Sequence, residues 1–226
     1  MPTKGTGPAS DWREIDTFDG GFGWIAYPEE GMQRASHGLV VDDEVWLIDP
    51  VDAEGLDDYV AEYGEVAGVV ILLDRHKRDC VAIARRHDVP VHVPHPLEDT
   101  ASELDAPVTR FRHDLADTHY AAYPVVDRFF WHEAALYSEE TGVLVVPEAV
   151  GTSGLFRVRD ERLGVHPALR LRPPRSLTRL SPERVLVGHG TGVHDDAAGA
   201  LQDAVDSSRR NAPSVAVDVA RLVLPW

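Results

Sequence analysis

The sequence predicts an α/β domain of layered strands and helices, and three observations predict it. Residues 69–73 and 143–146 are wholly apolar, as strands buried on both faces are. Leu56, Tyr59, Val60 and Tyr63 recur at helical spacing. The two halves of the chain also look loosely alike, each with sheet strands followed by helices, which is a layered pattern.

Taken in order, residues 1–15 read as a flexible leader, because the first eleven are rich in Gly, Pro, Ser and Thr. Residues 22–27 form a short aromatic strand. Residues 37–41 and 44–48 flank Asp42-Asp43, a hairpin turn, and Asp49-Pro50 stops the second strand. A helix follows with Gly64 as its C-cap. The strand at 69–73, a helix over 79–87 and a strand at 90–93 complete the first half. After a polar connection, strands are expected at 108–112, 119–124, 128–131, 134–137, 143–146 and 184–187. A helix over 197–211 closes the pattern, with residues 215–224 lying beyond Pro213. There is no linker and no short repeat, so residues 1–226 read as a single domain.

Charge and composition exclude several function classes. There are 38 acidic against 22 basic residues, for a net charge of −16. That balance argues against nucleic-acid binding, which needs basic patches. The acids are dispersed and only Lys4 and Lys77 are lysines, a pattern of proteins that work in high salt, so a halophilic source is expected. Arg170, Arg172, Arg175 and Arg179 read as an exposed loop balancing acidic neighbours. No run is long enough to span a bilayer, and the N-terminus has no apolar signal segment. The one cysteine, Cys80, permits no internal disulfide, so a cytoplasmic setting is expected. A small-molecule ligand is the expected partner, with no nucleic acid and no membrane; the oligomeric state is left open.

Four segments carry the chemistry. Residues 71–80 (Ile-Leu-Leu-Asp-Arg-His-Lys-Arg-Asp-Cys) deliver a strand end into a cluster of ionisable groups. Residues 39–50 form a hairpin ending in Ile-Asp. Residues 134–152 hold a strand pair leading to Pro147-Glu148. Residues 185–190 end a late strand in Gly188-His189-Gly190.

Together, and in this order, these segments resemble the metallo-β-lactamase superfamily over roughly residues 20–210. The resemblance implies a four-layer αββα sandwich. It also implies a metal loop of the form His-x-His-x-Asp-His, a bridging Asp and a late His. With the loop Asp aligned on Asp79, Arg75 and Lys77 fall at the first two His positions and Cys80 at the last. Glu148 stands in the place of the bridging Asp, and His189 matches the late His. The first metal site of the family is then lost, since Arg and Lys cations are not ligands. Asp79, Cys80, Glu148 and His189 remain as a set that could hold one zinc ion.

Each of the four has a structural alternative. Asp79 suits a helix N-cap, Cys80 a buried small hydrophobe, and His189 a satisfied histidine. Glu148 would pair with Arg75 or Lys77 as cations of a former metal site. The other histidines, His76 and His166 among them, fit no metal spacing and are expected to be structural or at the surface. The expected function is a degenerate, metal-free site in a binding or pseudoenzyme domain. The alternatives are a mono-zinc hydrolase of an ester, thioester or phosphoester, and a metal-free enzyme using Arg75, Lys77 and Asp79 in acid-base work.

Overall fold

The computed structural model describes residues 9–223, with side chains as far as Ser214. A seven-stranded sheet runs in chain order: β1 (Trp12–Phe18), β2 (Gly21–Ala26), β3 (Ala35–Val41), β4 (Glu44–Ile48), β5 (Glu65–Val70), β6 (Val91–Pro94) and β7 (Val108–Phe111). Its first four strands are antiparallel, and β4 to β7 are parallel. Parallel strands need crossovers. Short helices supply them: α1 (Leu56–Ala61), α2 (Cys80–Arg86) and α3 (Glu98–Ser102).

The second sheet takes β8 (Ala121–Arg128), β9 (Trp131–Tyr137), β10 (Val143–Val146) and β13 (Arg184–Val187), in the order β13-β10-β9-β8. Only β10 and β13 are parallel there. A small ladder of β11 (Val150–Gly151) and β12 (Gly164–Val165) follows β10, and α4 (Ala197–Val223) lies over the sheet.

Residue alternation along the strands builds the layers. In β4, Trp46 and Ile48 face the second sheet, where Leu136, Val143, Val145 and Leu186 meet them. Val45 and Leu47 face the other way, onto Leu56, Val60, Ile83 and Ala84 of the first-sheet helices. In β10 and β13, Leu144, Val146, Val185 and Val187 pack on Ala200, Leu201, Ala204 and Val205 of α4. These three strands thus bury both faces, at roughly 1.5–3 kcal/mol per large apolar side chain. The result is the αββα sandwich expected from the sequence. Among the described residues no helix is long and apolar enough to cross a membrane.

Several expectations need correction. The leader was expected to reach residue 15, but Trp12–Ile15 already pair with β2, and Ala9 bridges to Ala53; residues 1–8 lie outside the described part. The strand expected at 128–131 is broken by the turn of the β8–β9 hairpin, with Arg128 ending β8 and Trp131 opening β9. Phe129 and Phe130 stand exposed at its tip, so their aromatic character is not a burial signal. α4 continues through Pro213, which removes one hydrogen bond without ending the helix. α3 lies in what read as a polar connection. Arg170, expected in an exposed loop, is fully buried and holds Glu161 at 2.7 Å. The Asp42-Asp43 turn forms as expected, with φ of 51° and 64° at its two residues.

Candidate metal centre

Three strand ends converge at one edge of the sandwich, and each delivers a ligand-type side chain. The chain leaving β5 turns at residues 74–79 and carries His76. Pro147-Glu148 follows β10, and Gly188-His189 follows β13. A Cβ on Gly188 would lie 2.2 Å from the carbonyl oxygen of Pro147, so only glycine lets the last two loops approach this closely.

One potential ligand atom from each of His76, Glu148 and His189 lies within 4.8 Å of the others. It is the one group of three or more potential metal ligands among the described residues. All three side chains are buried. Nδ1 of His76 donates to Oδ2 of Asp49 at 3.0 Å, and Nδ1 of His189 donates to the carbonyl oxygen of Met32 at 3.0 Å. With both Nδ1 atoms used as donors, each neutral ring keeps its lone pair on Nε2. His76 Nε2 lies 3.6 Å from Oε2 of Glu148, and His189 Nε2 is buried with no hydrogen-bond partner.

Electrostatics keep the rings neutral and the carboxylate charged. Burial, then the Arg78 cation, lowers the pKa of His76. Burial, then His76 and Arg78, lowers that of His189 to about 3. Burial by itself would raise Glu148, but hydrogen bonding from His166, then any positive charge on His76 and His189, then the Arg75 guanidinium pull it below the usual carboxylate range. His166 accepts the N–H of Ala168 on Nδ1 at 3.2 Å, so its Nε2–H faces Oε1 of Glu148 at 3.4 Å. Arg75 reaches Oε2 of Glu148 from its Nε at 3.0 Å.

His76, Glu148 and His189 border a cavity of 190 Å³, which Glu30, Met32, Arg34, Arg75 and Arg78 also line. Arg34 and Glu30 pair at 2.7 Å. Arg78 ties the surroundings together: it donates to the carbonyls of Ala35 (2.6 Å), Asp49 (2.7 Å) and Gly188 (3.1 Å), and its Nη2 lies 3.4 Å from His76 Nε2.

No protein-family profile matches the sequence, and no curated protein matches it either. Solved structures do. The chain is similar to a metallo-β-lactamase from Pontibacter korlensis at 13% identity and a TM-score of 0.64, over 87% of this chain and 99% of that one. The chain has the metallo-β-lactamase fold. The mono-zinc form of FIM-1 from Pseudomonas aeruginosa is similar at 11% identity and a TM-score of 0.56, over 89% and 98% of the two chains. The Flv1 flavodiiron core of Synechocystis is similar at 14% identity and a TM-score of 0.62, over 90% of this chain and 62% of that one.

Within this metallo-β-lactamase fold, two of the four residues expected as ligands meet, and two do not. Glu148 and His189 come together, with Arg75 beside them. Asp79 stands at the N-cap position of α2 without capping it: its Oδ2 accepts the N–H of Asp52 at 2.9 Å. Cys80 is buried in α2 with its Sγ toward the His76 carbonyl at 3.7 Å, and burial raises its pKa well above the thiol's usual value. Lys77 turns away to pair with Glu103.

The residue that joins Glu148 and His189 is His76, for which the sequence predicts only a structural or surface role. His166, given the same role by the sequence, touches Glu148. Aligning the loop on Asp79 places Arg75, Lys77 and Cys80 at the histidine positions and passes over His76. One signal was present, the Asp49 of the Ile-Asp pair, since a carboxylate at a strand end is a common partner for a ligand histidine.

Proposed function

We propose that this chain is a one-metal hydrolase of a small molecule carrying an ester, thioester or phosphoester bond. His76, Glu148 and His189 would hold a single divalent ion, zinc by ligand type. One observation carries the reading: both imidazoles are tied at Nδ1, so both Nε2 lone pairs are reserved, and that of His189 has no partner in the protein. A buried acceptor left without a partner costs about 1–3 kcal/mol, which an ion would offset. Two His and one Glu with a further position open is a donor set of catalytic zinc. When bound, such an ion polarises the scissile bond and lowers the pKa of a water molecule. The chain's own contribution is positional. Asp49 and Met32 orient the rings, His166 and Arg75 keep the carboxylate ionised, and the arginines bordering the cavity favour an anionic substrate group.

A second reading is a metal-free binding domain. It is favoured by Arg78, whose Nη2 at 3.4 Å offers the His76 lone pair a donor in place of an ion. The two readings part on metal content and affinity. Protein purified without added metal is analysed for bound ions, then titrated with zinc beside His189→Ala. Stoichiometric zinc in the wild type, lost in the variant, supports the one-metal reading, and turnover of model esters, thioesters or phosphoesters then tests hydrolysis. A wild type that takes up no zinc supports the binding domain.

A further inference from the structure

Behind the cavity, four residues close a ring of contacts. Glu133 sits on β9 and is fully buried. Its Oε1 accepts the backbone N–H groups of Glu148 at 2.9 Å and Ala149 at 2.7 Å, and its Oε2 accepts the indole N–H of Trp131 at 2.7 Å. The Trp131 ring carries the Arg75 guanidinium on its face, 4.1 Å from the centroid. Arg75 in turn reaches the Glu148 carboxylate at 3.0 Å. Glu133 therefore holds Glu148 twice, by its backbone directly and by its side chain through Trp131 and Arg75.

We infer that Glu133 is a positioning residue, the shared anchor of the Glu148 carboxylate and of the Arg75 guanidinium at the cavity. The inference rests on the reading of Glu148 as a metal ligand. The residue type follows from the donors around it. Three N–H groups converge on its two oxygens, and a carboxylate offers two acceptor oxygens where a glutamine amide offers one. Outer contacts of this kind orient ligands and set metal affinity.

Glu133→Gln isolates the role. Its amide oxygen can keep both backbone N–H groups of residues 148 and 149, but its NH₂ then meets the indole N–H, donor against donor. Trp131→Phe removes that conflict and leaves an aromatic platform for Arg75. Zinc affinity is measured by competition with a chromophoric chelator in the wild type, Glu133→Gln and the double variant, each shown to be folded by its thermal melt.

The single variant is expected to bind about 10- to 100-fold more weakly, and the double variant to recover most of the loss. A purely structural role would lower the melting midpoint, leave the affinity of the folded protein unchanged and give no rescue. Wild-type affinity in Glu133→Gln overturns the inference, and so does a double variant as weak as the single one. A wild type that binds no zinc overturns the one-metal reading and the inference with it, and it does so before any substitution is made. If Glu133→Gln does not fold, Trp131→Leu removes the platform while keeping the backbone bonds. It is expected to lose affinity several-fold, and unchanged affinity there overturns the ring.

Discussion

Oδ2 of Asp49 lies 3.0 Å from Nδ1 of His76, and this single bond sets which nitrogen of the ring faces the cavity. The other oxygen, Oδ1, accepts the N–H of Leu72 at 2.9 Å, so one carboxylate couples the end of β4 to the chain leaving β5. Asp49→Asn keeps the shape but weakens the preference for an Nδ1–H tautomer. Metal affinity is expected to fall about 10- to 100-fold, read by chelator competition. Unchanged affinity would show that the tautomer is set elsewhere.

Gly188→Ala tests the close approach of the two ligand loops. The added Cβ meets the Pro147 carbonyl oxygen at 2.2 Å, a backbone atom that cannot rotate away. The expected cost is roughly 1–3 kcal/mol of stability, with metal affinity lost in the protein that still folds. Urea unfolding and a zinc titration of the same sample check both.

The contact between the sheets has its own probe. Leu186 is fully buried between them, among Leu136, Val143 and Val145. Leu186→Ala should destabilise the chain by about 2–5 kcal/mol, measured by urea unfolding. A smaller cost would mean that the sheets close over the space.

His92 gives a pH signature away from the centre. It is buried on β6 against Trp46, with ring centroids 5.0 Å apart, and burial lowers its pKa to about 4. The unfolded chain takes up this proton near the ordinary value of 6.5. The contribution of the neutral ring is therefore fully present above about 6.5 and is lost as pH falls toward 4. His92→Leu should flatten the fall in stability by up to one proton, seen by comparing denaturation at neutral pH and near pH 5. An unchanged slope would contradict it.

Salt is the remaining lever. A net charge of −16 on 226 residues is self-repulsion that screening relieves. The thermal midpoint is expected to rise from low to multi-molar KCl. Equal midpoints would remove the basis for a halophilic origin.

The layers were legible because strands buried on both faces are apolar at every position. Val45, Trp46, Leu47 and Ile48 are all apolar because successive side chains enter two different cores, and that unbroken run separates a strand in a sandwich from a surface strand. Glu148 and His189 were legible because each ends an apolar run. His76 was not. Its place depends on the Asp49 carboxylate, 27 residues away, and on a turn with φ of 39° at Arg78, neither of which is a spacing. Phe129 and Phe130 misled for the opposite reason. They have the composition of a strand, but they sit at a tip where nothing packs on them.

The three strand ends that meet at the centre do not belong to one sheet. His76 follows a strand of the first, while Glu148 and His189 follow strands of the second. An ion held by all three would clasp the two halves of the sandwich across their open edge, so occupancy and folding would be one equilibrium. An ion at a hundred times its dissociation constant adds about 2.7 kcal/mol to the native state. The amount of folded protein in a cell would then follow the supply of that ion, and starvation for it would thin the population before any catalytic step was affected.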